Sequence, residues 1–322
     1  MTSVVWKTLG VLVALAVVPL PTLAQGYPEK PIKLVVTWPP GGSADAIGRL
    51  VAGALGSSLG QTVYVENAAG ASGNIGTSQF ARSQPDGYTL LLATSTTNSA
   101  SPALFTKIAF HPVDDFVPIS PVALSPSILI VSATSPHKSP KDIVAAAKAN
   151  PGRLTYGSGG NGNSGHLSAE LFKSVVKIEA QHVPYKGNSP AMVDLMGGQI
   201  DFMFDNGAIP YIQGGKVRGL AVAAEKRLTA VPDIPTFAEL GWPGVQLNTW
   251  FGLAAPKGTP PAVVDKLNKA MTAALQKPEI VKRLQEMGAE PKTSTPAAFA
   301  AFWKAELDRY RDLVKLSGAK IE

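Results

Sequence analysis

Two stretches of this chain follow one pattern, in which a short apolar strand ends in glycines and a helix begins directly after them. The first glycine turn occupies residues 39–42, within residues 34–49, and the second occupies residues 157–162, within residues 154–172. After each turn, apolar residues recur at three- and four-residue spacing, which is typical of a helix with one buried face. The N-terminus of a helix has unpaired N–H groups and a partial positive charge, so it can bind an anion without a cationic side chain. The pattern therefore predicts two anion-binding turns, although an ordinary strand–helix connection has the same local sequence.

The first glycine turn combines small, polar and aromatic residues. Gly41 and Gly42 would let a ligand approach the backbone closely. Ser43 is a natural N-cap that can also donate a hydrogen bond to a carboxylate. Trp38 either forms a wall of a pocket or packs in the core, and the prolines and glycines that follow it favour the wall.

The second glycine turn is rich in neutral polar groups. The polar residues around its predicted helix start are Ser158, Asn161, Asn163 and Ser164. His166 falls in the first helical turn, where it either contacts a ligand or forms a local structural hydrogen bond. If the two turns lie in separate lobes, two helix N-termini would face each other across a cleft, an arrangement that suits a dicarboxylate.

Strands alternate with helices along the rest of the chain, which predicts an α/β fold with largely parallel sheets. A strand at residues 88–93 runs into a polar segment that begins with Thr94 and Ser95. Another strand at residues 199–204 ends at Asp205, which either accepts a hydrogen bond from a ligand or caps the next turn. Because ligands of open α/β sheets bind at the carboxyl ends of the strands, these three residues are candidates for the site.

Proline and glycine mark the limits of several predicted helices. Ser139 before Pro140 predicts an N-cap with proline at the first helical position. The last helix is expected to begin after Thr295-Pro296, and Gly60 is expected to end the helix that follows the first glycine turn.

The N-terminal residues have the composition of a secretory signal. Lys7 precedes an apolar run at residues 9–20, and residues 22–24 form a small-residue cleavage pattern. This predicts a cleaved signal peptide at residues 1–24, because the apolar run is short for a membrane span. An uncleaved anchor is the alternative. The chain has no cysteine, which excludes disulfides and thiolate metal sites, and together these features predict a periplasmic protein.

Charge and motifs give little support to other classes of protein. The formal net charge is +6, but the basic residues are scattered, so no nucleic-acid binding is predicted. The histidines lack metal-ligand spacing, and neither a metal nor a cofactor is expected. Residues 56–60 match the esterase pattern around Ser58, which makes a periplasmic serine hydrolase the alternative function. These residues are predicted at the end of a helix, whereas the esterase pattern needs a strand before it and a helix after it. Residues 157–162 match the dinucleotide fingerprint, which a periplasmic location disfavours.

Beyond these patterns, the chain resembles the Bug-type extracytoplasmic solute receptors of tripartite tricarboxylate transporters. The similarity covers essentially the whole chain after residue 24, and its many short blocks in the same order make it specific. The blocks include Tyr27-Pro-Glu-Lys-Pro-Ile32, Pro39-Pro-Gly-Gly-Ser-Ala-Asp45, Pro85-Asp-Gly-Tyr-Thr-Leu90, Gly159-Gly-Asn-Gly162, His182-Val-Pro-Tyr-Lys-Gly187 and Pro232-Asp-Ile-Pro-Thr236.

The resemblance implies a two-lobed periplasmic binding protein fold of type II-like architecture, with the ligand cleft between the lobes. Residues 25–125 and 250–322 would form the first lobe, and residues 126–249 the second. The implied function is that of a monomeric receptor, not an enzyme, which captures a small carboxylate, either a di- or tricarboxylate or an aromatic acid. It would deliver this ligand to a large and a small integral-membrane subunit, and a receptor that feeds a signalling sensor is the alternative.

The same resemblance implies which residues hold the ligand. In the family, the loop after the first strand and the glycine-rich loop of the second lobe grip it through backbone amides, hydroxyls and ordered waters. Trp38 departs from the phenylalanine that commonly precedes the two prolines, which leaves pocket size and aromatic stacking open. The predicted ligand-binding residues are Trp38, Gly41, Gly42, Ser43, Asp45, Thr94, Ser95, Ser158, Gly159, Asn161, Asn163, Ser164, His166 and Asp205.

Overall fold

The computed structural model describes residues 26–318, so the predicted signal peptide at residues 1–24 lies outside the described residues. Within residues 26–318, no helix combines the length and the apolar composition that a bilayer crossing requires. The chain forms two α/β lobes, each built on its own sheet, so the two-lobed α/β prediction is confirmed.

The first sheet has six strands from the N-terminal and C-terminal parts of the chain. Its strands in spatial order are β2 (Val63–Asn67), β1 (Ile32–Val36), β3 (Thr89–Thr94), β10 (Asn248–Pro256), β4 (Phe116–Pro126) and β11 (Glu290–Pro291). The helices of the same parts of the chain are α1 (Ser43–Leu59), α2 (Asn74–Phe80), α3 (Ser101–Leu104), α8 (Pro261–Leu275), α9 (Pro278–Glu286) and α10 (Pro296–Ser317). Both faces of this sheet are buried, with Leu34 and Leu92 in one apolar cluster and Val35 and Leu91 in another.

The second sheet has five strands from the middle of the chain. Its strands in spatial order are β7 (Gln181–Pro184), β6 (Thr155–Ser158), β8 (Phe202–Asp205), β5 (Ile128–Ser132) and β9 (Val217–Val222). Its helices are α4 (Pro140–Ala149), α5 (Ser164–Val176), α6 (Asn188–Met196) and α7 (Ile209–Gln213). Leu129 and Val131 pack in one apolar cluster and Ile128 and Ile130 in another, as the alternating faces of a strand require.

One of the two glycine turns follows the strand next to the edge of each sheet. β1 pairs in parallel with β2 and β3, and β6 pairs in parallel with β7 and β8. The carboxyl ends of parallel strands share one edge of a sheet. Each glycine turn therefore lies beside the segments that follow two neighbouring strands.

The prediction of largely parallel sheets is wrong. β10 runs antiparallel to β3 and β4, β11 runs antiparallel to β4, and β5 runs antiparallel to β8 and β9. β4 leads the chain out of the first lobe and β10 leads it back, so the crossing between lobes requires strands of opposite direction. A buried strand reads as the same apolar run in either direction, and its sequence does not reveal the pairing.

The lobes also contact each other through two helices. Leu167 and Leu171 on α5 share a buried cluster with Tyr310 and Val314 on α10. Phe299 and Trp303, on the preceding turns of α10, pack against the first sheet. The C-terminal helix therefore touches both lobes and helps to fix the position of α5, which begins after the second glycine turn.

Candidate ligand-binding site

A cavity of about 240 Å³ lies between the two lobes, at the ends of the strands that precede the glycine turns. Its walls come from the segments after β1, β3, β6, β7 and β8 and from the crossing strand β10. The lining consists of Trp38, Pro39, Pro40, Gly42, Ser43, Ala44, Thr94, Thr96, Gly159, Asn163, Ser164, Lys186, Gly187, Asn188, Ser189, Pro190, Asn206, Thr249 and Phe251. Folding thus brings segments that are far apart in sequence around one cleft.

Three helices begin at the wall of this cavity, one more than the glycine pattern indicates. α1 contributes Gly42 and Ser43, α5 contributes Asn163 and Ser164, and α6 begins at Asn188. The first N–H groups of a helix have no intrahelical acceptor, and they carry partial positive charge. Their convergence makes the cavity favourable for an anion.

The side chains of the lining add to this positive character. Among the described residues that line the cavity, Lys186 has the one charged side chain, and neither aspartate nor glutamate is present. Lys186 is exposed, in the loop between β7 and α6. Trp38 and Phe251 supply apolar walls. The cavity therefore offers cationic and N–H groups together with apolar surface.

A buried carboxylate holds the first glycine turn. Asp45 accepts hydrogen bonds from the backbone N–H of Gly41 at 3.0 Å and from the side chain of Arg49 at 3.0 Å. Asn67 donates to Asp45 at 2.9 Å and to the carbonyl oxygen of Trp38 at 3.0 Å. Burial by itself would raise the pKa of Asp45, but the hydrogen bonds that it accepts, above all from Arg49, lower this pKa below its usual value. Asp45 is therefore a charged brace behind the turn.

Neutral amides hold the second glycine turn. Asn163 caps α5, because its Oδ1 accepts from the backbone N–H of His166 at 2.9 Å. Nδ2 of Asn163 donates to Oδ1 of Asn188 at 2.9 Å, and Nδ2 of Asn188 donates to Oδ2 of Asp205 at 2.6 Å. We call Asn163, Asn188 and Asp205 the amide chain. It packs directly on Gly159, where a Cβ atom would lie 2.1 Å from Oδ1 of Asn188.

Two stacked histidines support the same turn from within the second lobe. The rings of His166 and His182 are nearly parallel, with centroids 4.0 Å apart. Nδ1 of His166 accepts from the N–H of Gly162 at 2.9 Å, and Nε2 of His182 lies 2.6 Å from Oγ of Ser158. Burial lowers the pKa of His166 to about 4 and that of His182 to about 3. Both rings are therefore neutral at neutral pH, and the local hydrogen bond considered for His166 is present.

Asp205 ends β8 and is buried, with 4% of its surface exposed. Its Oδ1 accepts from the N–H of Gly207, as expected for a residue that caps a turn. Burial raises the pKa of Asp205 to about 6, against the opposing effect of the hydrogen bonds from Gly207 and Asn188. Asp205 lines a chamber of about 60 Å³, which shares Gly42, Ser43, Asn188 and Ser189 with the lining of the larger cavity.

The predicted N-cap role of Ser43 is wrong. Gly42 is the N-cap of α1, with φ −87° and ψ 173°, and Ser43 is the first helical residue. Gly41 has a φ of +87°, a conformation that favours glycine, and the chain reverses there one position earlier than the pattern suggests. Oγ of Ser43 lies 3.5 Å from Oδ1 of Asn206, which belongs to the second lobe.

The structure brings most of the predicted site residues together. Those that line the larger cavity are Trp38, Gly42, Ser43, Thr94, Gly159, Asn163 and Ser164, and those that line the smaller chamber include Gly41 and Asp205. Those outside both linings are Asp45, Ser95, Ser158, Asn161 and His166. Ser95 is fully buried and Asn161 is exposed. Direct contact of any of these residues with a ligand stays a prediction.

Several lining residues were missed by the sequence reasoning. Lys186 and Asn188 line the cavity because α6 begins there. Pro190, near the start of α6, indicates in the sequence that a helix begins at this point. Thr249 and Phe251 lie within β10, whose apolar pattern indicates only a buried strand. Among the described residues, Oγ1 of Thr249 has no hydrogen-bond partner, although it is buried.

The alternative motifs find little structural support. Ser58 lies in the last turn of α1, and Gly60 ends this helix with a φ of +67°, as expected. An esterase nucleophile instead needs a strand before it and a helix after it. The second glycine turn does connect a strand to a helix, but a cavity of about 240 Å³ is small even for ordinary ligand pockets of roughly 300–1,000 Å³. Within residues 26–318, no cluster of three or more potential metal-ligating side chains occurs.

Comparison with known proteins identifies the family. The family model described as "Tripartite tricarboxylate transporter family receptor" matches residues 47–318. This chain belongs to that family. The receptor is 37% identical over 317 residues to Protein BugT of Bordetella pertussis, an alignment that covers 98% of this chain and 97% of BugT. The resemblance to Bug-type receptors is confirmed, and the family is one of solute-binding receptors rather than enzymes.

Two solved relatives from Rhodopseudomonas palustris contain small acids. Rpa4515, solved with adipate, is 34% identical to this receptor with a TM-score of 0.87, over 92% of this chain and 100% of its own. MatC, solved with bound malate, is 33% identical with a TM-score of 0.81, over 89% of this chain and 100% of its own. Other solved neighbours are described as a periplasmic transporter and a periplasmic binding protein, which places the fold among periplasmic binding proteins.

Proposed function

We propose that this receptor captures a small dicarboxylate between its lobes in the periplasm and delivers it to the two integral-membrane subunits of a tripartite tricarboxylate transporter. The observation that carries the proposal is the lining of the cavity. Three helix N-termini and Lys186 meet there, and its described residues include no acid. The adipate and malate found in two relatives are both small dicarboxylates, which supports this class of ligand.

Each lobe would hold one end of the ligand. In the first lobe, the N–H groups of Ser43 and Ala44 at the start of α1 would bind one carboxylate. In the second lobe, the first N–H groups of α5 and α6, together with Lys186, would bind the other. Trp38 and Phe251 would cover the hydrocarbon between them. The modest volume of the cavity favours a short chain.

Closure of the lobes would strengthen this grip. Removal of water from the cleft makes each hydrogen bond to a carboxylate electrostatically stronger than it is in bulk solvent. The two lobes contact each other beside the cavity. Oγ of Ser125 lies 3.3 Å from the carbonyl oxygen of Asn206, and Oγ of Ser43 lies 3.5 Å from Oδ1 of the same residue. The receptor would release its ligand chemically unchanged. The alternative of a serine hydrolase has no support from Ser58, which lies in the last turn of α1.

The first test is a thermal-shift screen of the purified receptor with adipate and malate, followed by calorimetry. A ligand that binds the native state raises the melting temperature, whereas the neutral diamides of the same acids should have no effect. If neither dicarboxylate, nor any other in a panel of two to eight carbons, shifts the melting temperature, the proposed ligand class is wrong. Capture of the two membrane subunits from detergent extracts would separate delivery to a transporter from signalling.

A matched pair of variants tests the electrostatic part of the proposal. Lys186→Gln should weaken dicarboxylate binding by about 10- to 100-fold, because a hydrogen bond to a charged group contributes ~1.5–3 kcal/mol. Lys141→Gln is the control, since Lys141 is an exposed residue of α4 in the same lobe and does not line the cavity. Equal affinity in both variants would remove Lys186 from the proposed site.

A further inference from the structure

The amide chain has a feature that a simple cap on a turn does not need. Asp205 is a buried carboxylate, and both of its oxygens accept hydrogen bonds, one from the N–H of Gly207 and one from Nδ2 of Asn188. No cationic side chain of the described residues forms an ion pair with it. The second lobe therefore keeps a carboxylate whose partners are neutral.

The charge on Asp205 determines the orientation of both amides. An ionised carboxylate only accepts hydrogen bonds, so Asn188 must present its NH₂ group to Asp205. Its carbonyl Oδ1 then accepts from Nδ2 of Asn163, and Oδ1 of Asn163 is left to accept from the N–H of His166. The ionised state of Asp205 is thus transmitted through two side chains to the first turn of α5.

The space around these amides restricts any other arrangement. A Cβ atom on Gly159 would lie 2.1 Å from Oδ1 of Asn188 and 2.4 Å from Nδ2 of Asn163. The two amides therefore lie against the backbone of the second glycine turn. Asn163, Asn188 and Gly159 all line the cavity, so a change in the amides would alter the wall that faces the ligand.

We propose that Asp205 is a positioning residue, which acts through Asn188 and Asn163 and whose ionisation holds the second glycine turn in its ligand-binding arrangement. Its effect on affinity rests on the proposed function, whereas its effect on the turn does not. Oδ1 of Asp205 accepts from the N–H of Gly207, so the proposal places the proton of the neutral acid on Oδ2, the oxygen that faces Asn188. Oδ2 would then donate rather than accept. Asn188 would turn its carbonyl group to Asp205 and its NH₂ group to the NH₂ group of Asn163, which breaks the link.

This arrangement makes binding dependent on pH near 6. Burial raises the pKa of Asp205 to about 6, so the amide chain is complete above that pH and is lost below it. The titratable and charged groups on the neighbouring elements of the second lobe are Tyr156 on β6, His182 on β7, His166, Glu170 and Lys173 on α5, Tyr185 and Lys186 before α6, Asp194 on α6 and Tyr211 on α7. From the first lobe, α1 begins at the same chamber and carries the paired Asp45 and Arg49. The two histidines, with pKa values of about 4 and 3, stay neutral over this range.

Three variants test the proposal by calorimetry at pH 7.5 and pH 5.0, with adipate as the probe. In wild type, affinity should fall by about tenfold at pH 5.0 in addition to the titration of the ligand itself, which is common to all variants. Asp205→Asn should bind about tenfold more weakly at pH 7.5 and lose the additional pH dependence. Asp201→Asn is the matched control, because Asp201 precedes the same strand and bonds to Thr155 at the opposite end from the cavity; it should behave as wild type.

An exchange of the acid and the amide separates positioning from a general loss of structure. In the double variant Asp205→Asn with Asn188→Asp, the carboxylate at position 188 can accept from Asn163 and from the amide at position 205. The orientation of Asn163 is then restored, and in the ligand-free receptor the NMR signals of the His166 backbone N–H and of the Asn163 side-chain NH₂ should return at pH 7.5 to their wild-type positions. Affinity is not the readout for this variant, because Asn188 lines the cavity and a carboxylate there would repel a dicarboxylate. Signals that stay as they are in Asp205→Asn would contradict the proposal.

A measurement without ligand distinguishes this proposal from the proposed function. In the ligand-free receptor, the NMR signals of the His166 backbone N–H and of the Asn163 side-chain NH₂ should titrate with a midpoint near pH 6 in wild type and Asp201→Asn. Both signals should lose this transition in Asp205→Asn. If no dicarboxylate binds but the transition is present, the proposed function fails and the positioning role stands. If the signals do not change between pH 5 and 7.5 in wild type, the positioning role is wrong whatever the receptor binds.

Discussion

The two glycine turns share one backbone plan, but opposite chemistry holds them in place. Behind the first turn, Asp45 is bonded to Arg49, whose side chain is 57% exposed. Behind the second turn, the amide chain and two stacked neutral histidines take the place of an ion pair. The pKa values of the acids shift accordingly, downward for Asp45 and upward for Asp205.

The difference shows that a strand–glycine–helix unit determines where N–H groups are presented but not how the turn is supported. At the first turn, Arg49 neutralises the acid, so Asp45 does not oppose an anion in the cavity. At the second turn, the supporting groups are neutral, and Asp205 lines the adjacent small chamber rather than the larger cavity. Both solutions keep uncompensated negative charge away from the larger cavity.

The largest expected effect concerns stability as a function of pH, because the two acids should act with opposite sign. The folded state binds the proton of Asp205 more tightly than the unfolded state does, so its contribution to the free energy of unfolding decreases as pH rises from about 4 to 6. A shift of the pKa from 3.8 to about 6 corresponds to a change on the order of 3 kcal/mol. The difference in unfolding free energy between wild type and Asp205→Asn should therefore fall by that amount between pH 4 and pH 7.

The stability contributed by Asp45 should depend on pH in the opposite direction. Its pKa is lowered on folding, so its contribution is present above the unfolded value near 4 and is lost as pH falls through the lower folded value. The difference between wild type and Asp45→Asn should thus shrink on acidification. Urea unfolding at several pH values measures the unfolding free energy of wild type and of both variants. If the differences from wild type change with pH in the same direction for the two acids, the contrast between the turns is contradicted.

The next effect tests how tightly the second turn packs on its amides. Gly159→Ala should lower the free energy of unfolding by ~1–3 kcal/mol and weaken adipate binding at least tenfold, because its Cβ atom would overlap Asn188 and Asn163. Gly53→Ala in α1 is the control. No atom lies within 4 Å of a Cβ at Gly53, which is exposed, so this change should stabilise the receptor by ~0.5–1 kcal/mol. Calorimetry measures the affinity of both variants for adipate, and urea unfolding measures their stability. A Gly159→Ala protein with wild-type affinity and stability would contradict the tight packing of the second turn on its amides.

The smallest expected difference is the one between single polar side chains of the two turns. Asn163→Ala removes both the cap of α5 and the bond to Asn188, so it should weaken adipate binding by ~2–3 kcal/mol. Ser43→Ala should weaken it by only ~1 kcal/mol, because Ser43 is not the cap of α1 and its hydroxyl has a single contact at 3.5 Å. An affinity loss that is larger for Ser43→Ala would show that the first turn depends on its side chain rather than on its N–H groups.

Capping residues and glycines in the sequence predicted where several helices begin and end. Ser139 caps α4 in the expected way, Thr295 caps α10, and Gly60 ends α1 in the left-handed conformation. These features depend on residues within one turn of each other, so they can be recognised in an isolated sequence. The place of Ser43 was misjudged by one position, because the reversal at Gly41 moves the cap to Gly42.

The sequence by itself determined the two strand–glycine–helix units, because the spacing of apolar residues and the conformational freedom of glycine are local properties. Only the tertiary structure decided that Lys186 and Asn188 join these units around one cavity, and that Asp205 reaches Asn163 through Asn188. It also decided the antiparallel strands through which the chain crosses between lobes. These features depend on how distant segments pack, and the free energy of packing is shared among many contacts that no short stretch of sequence contains.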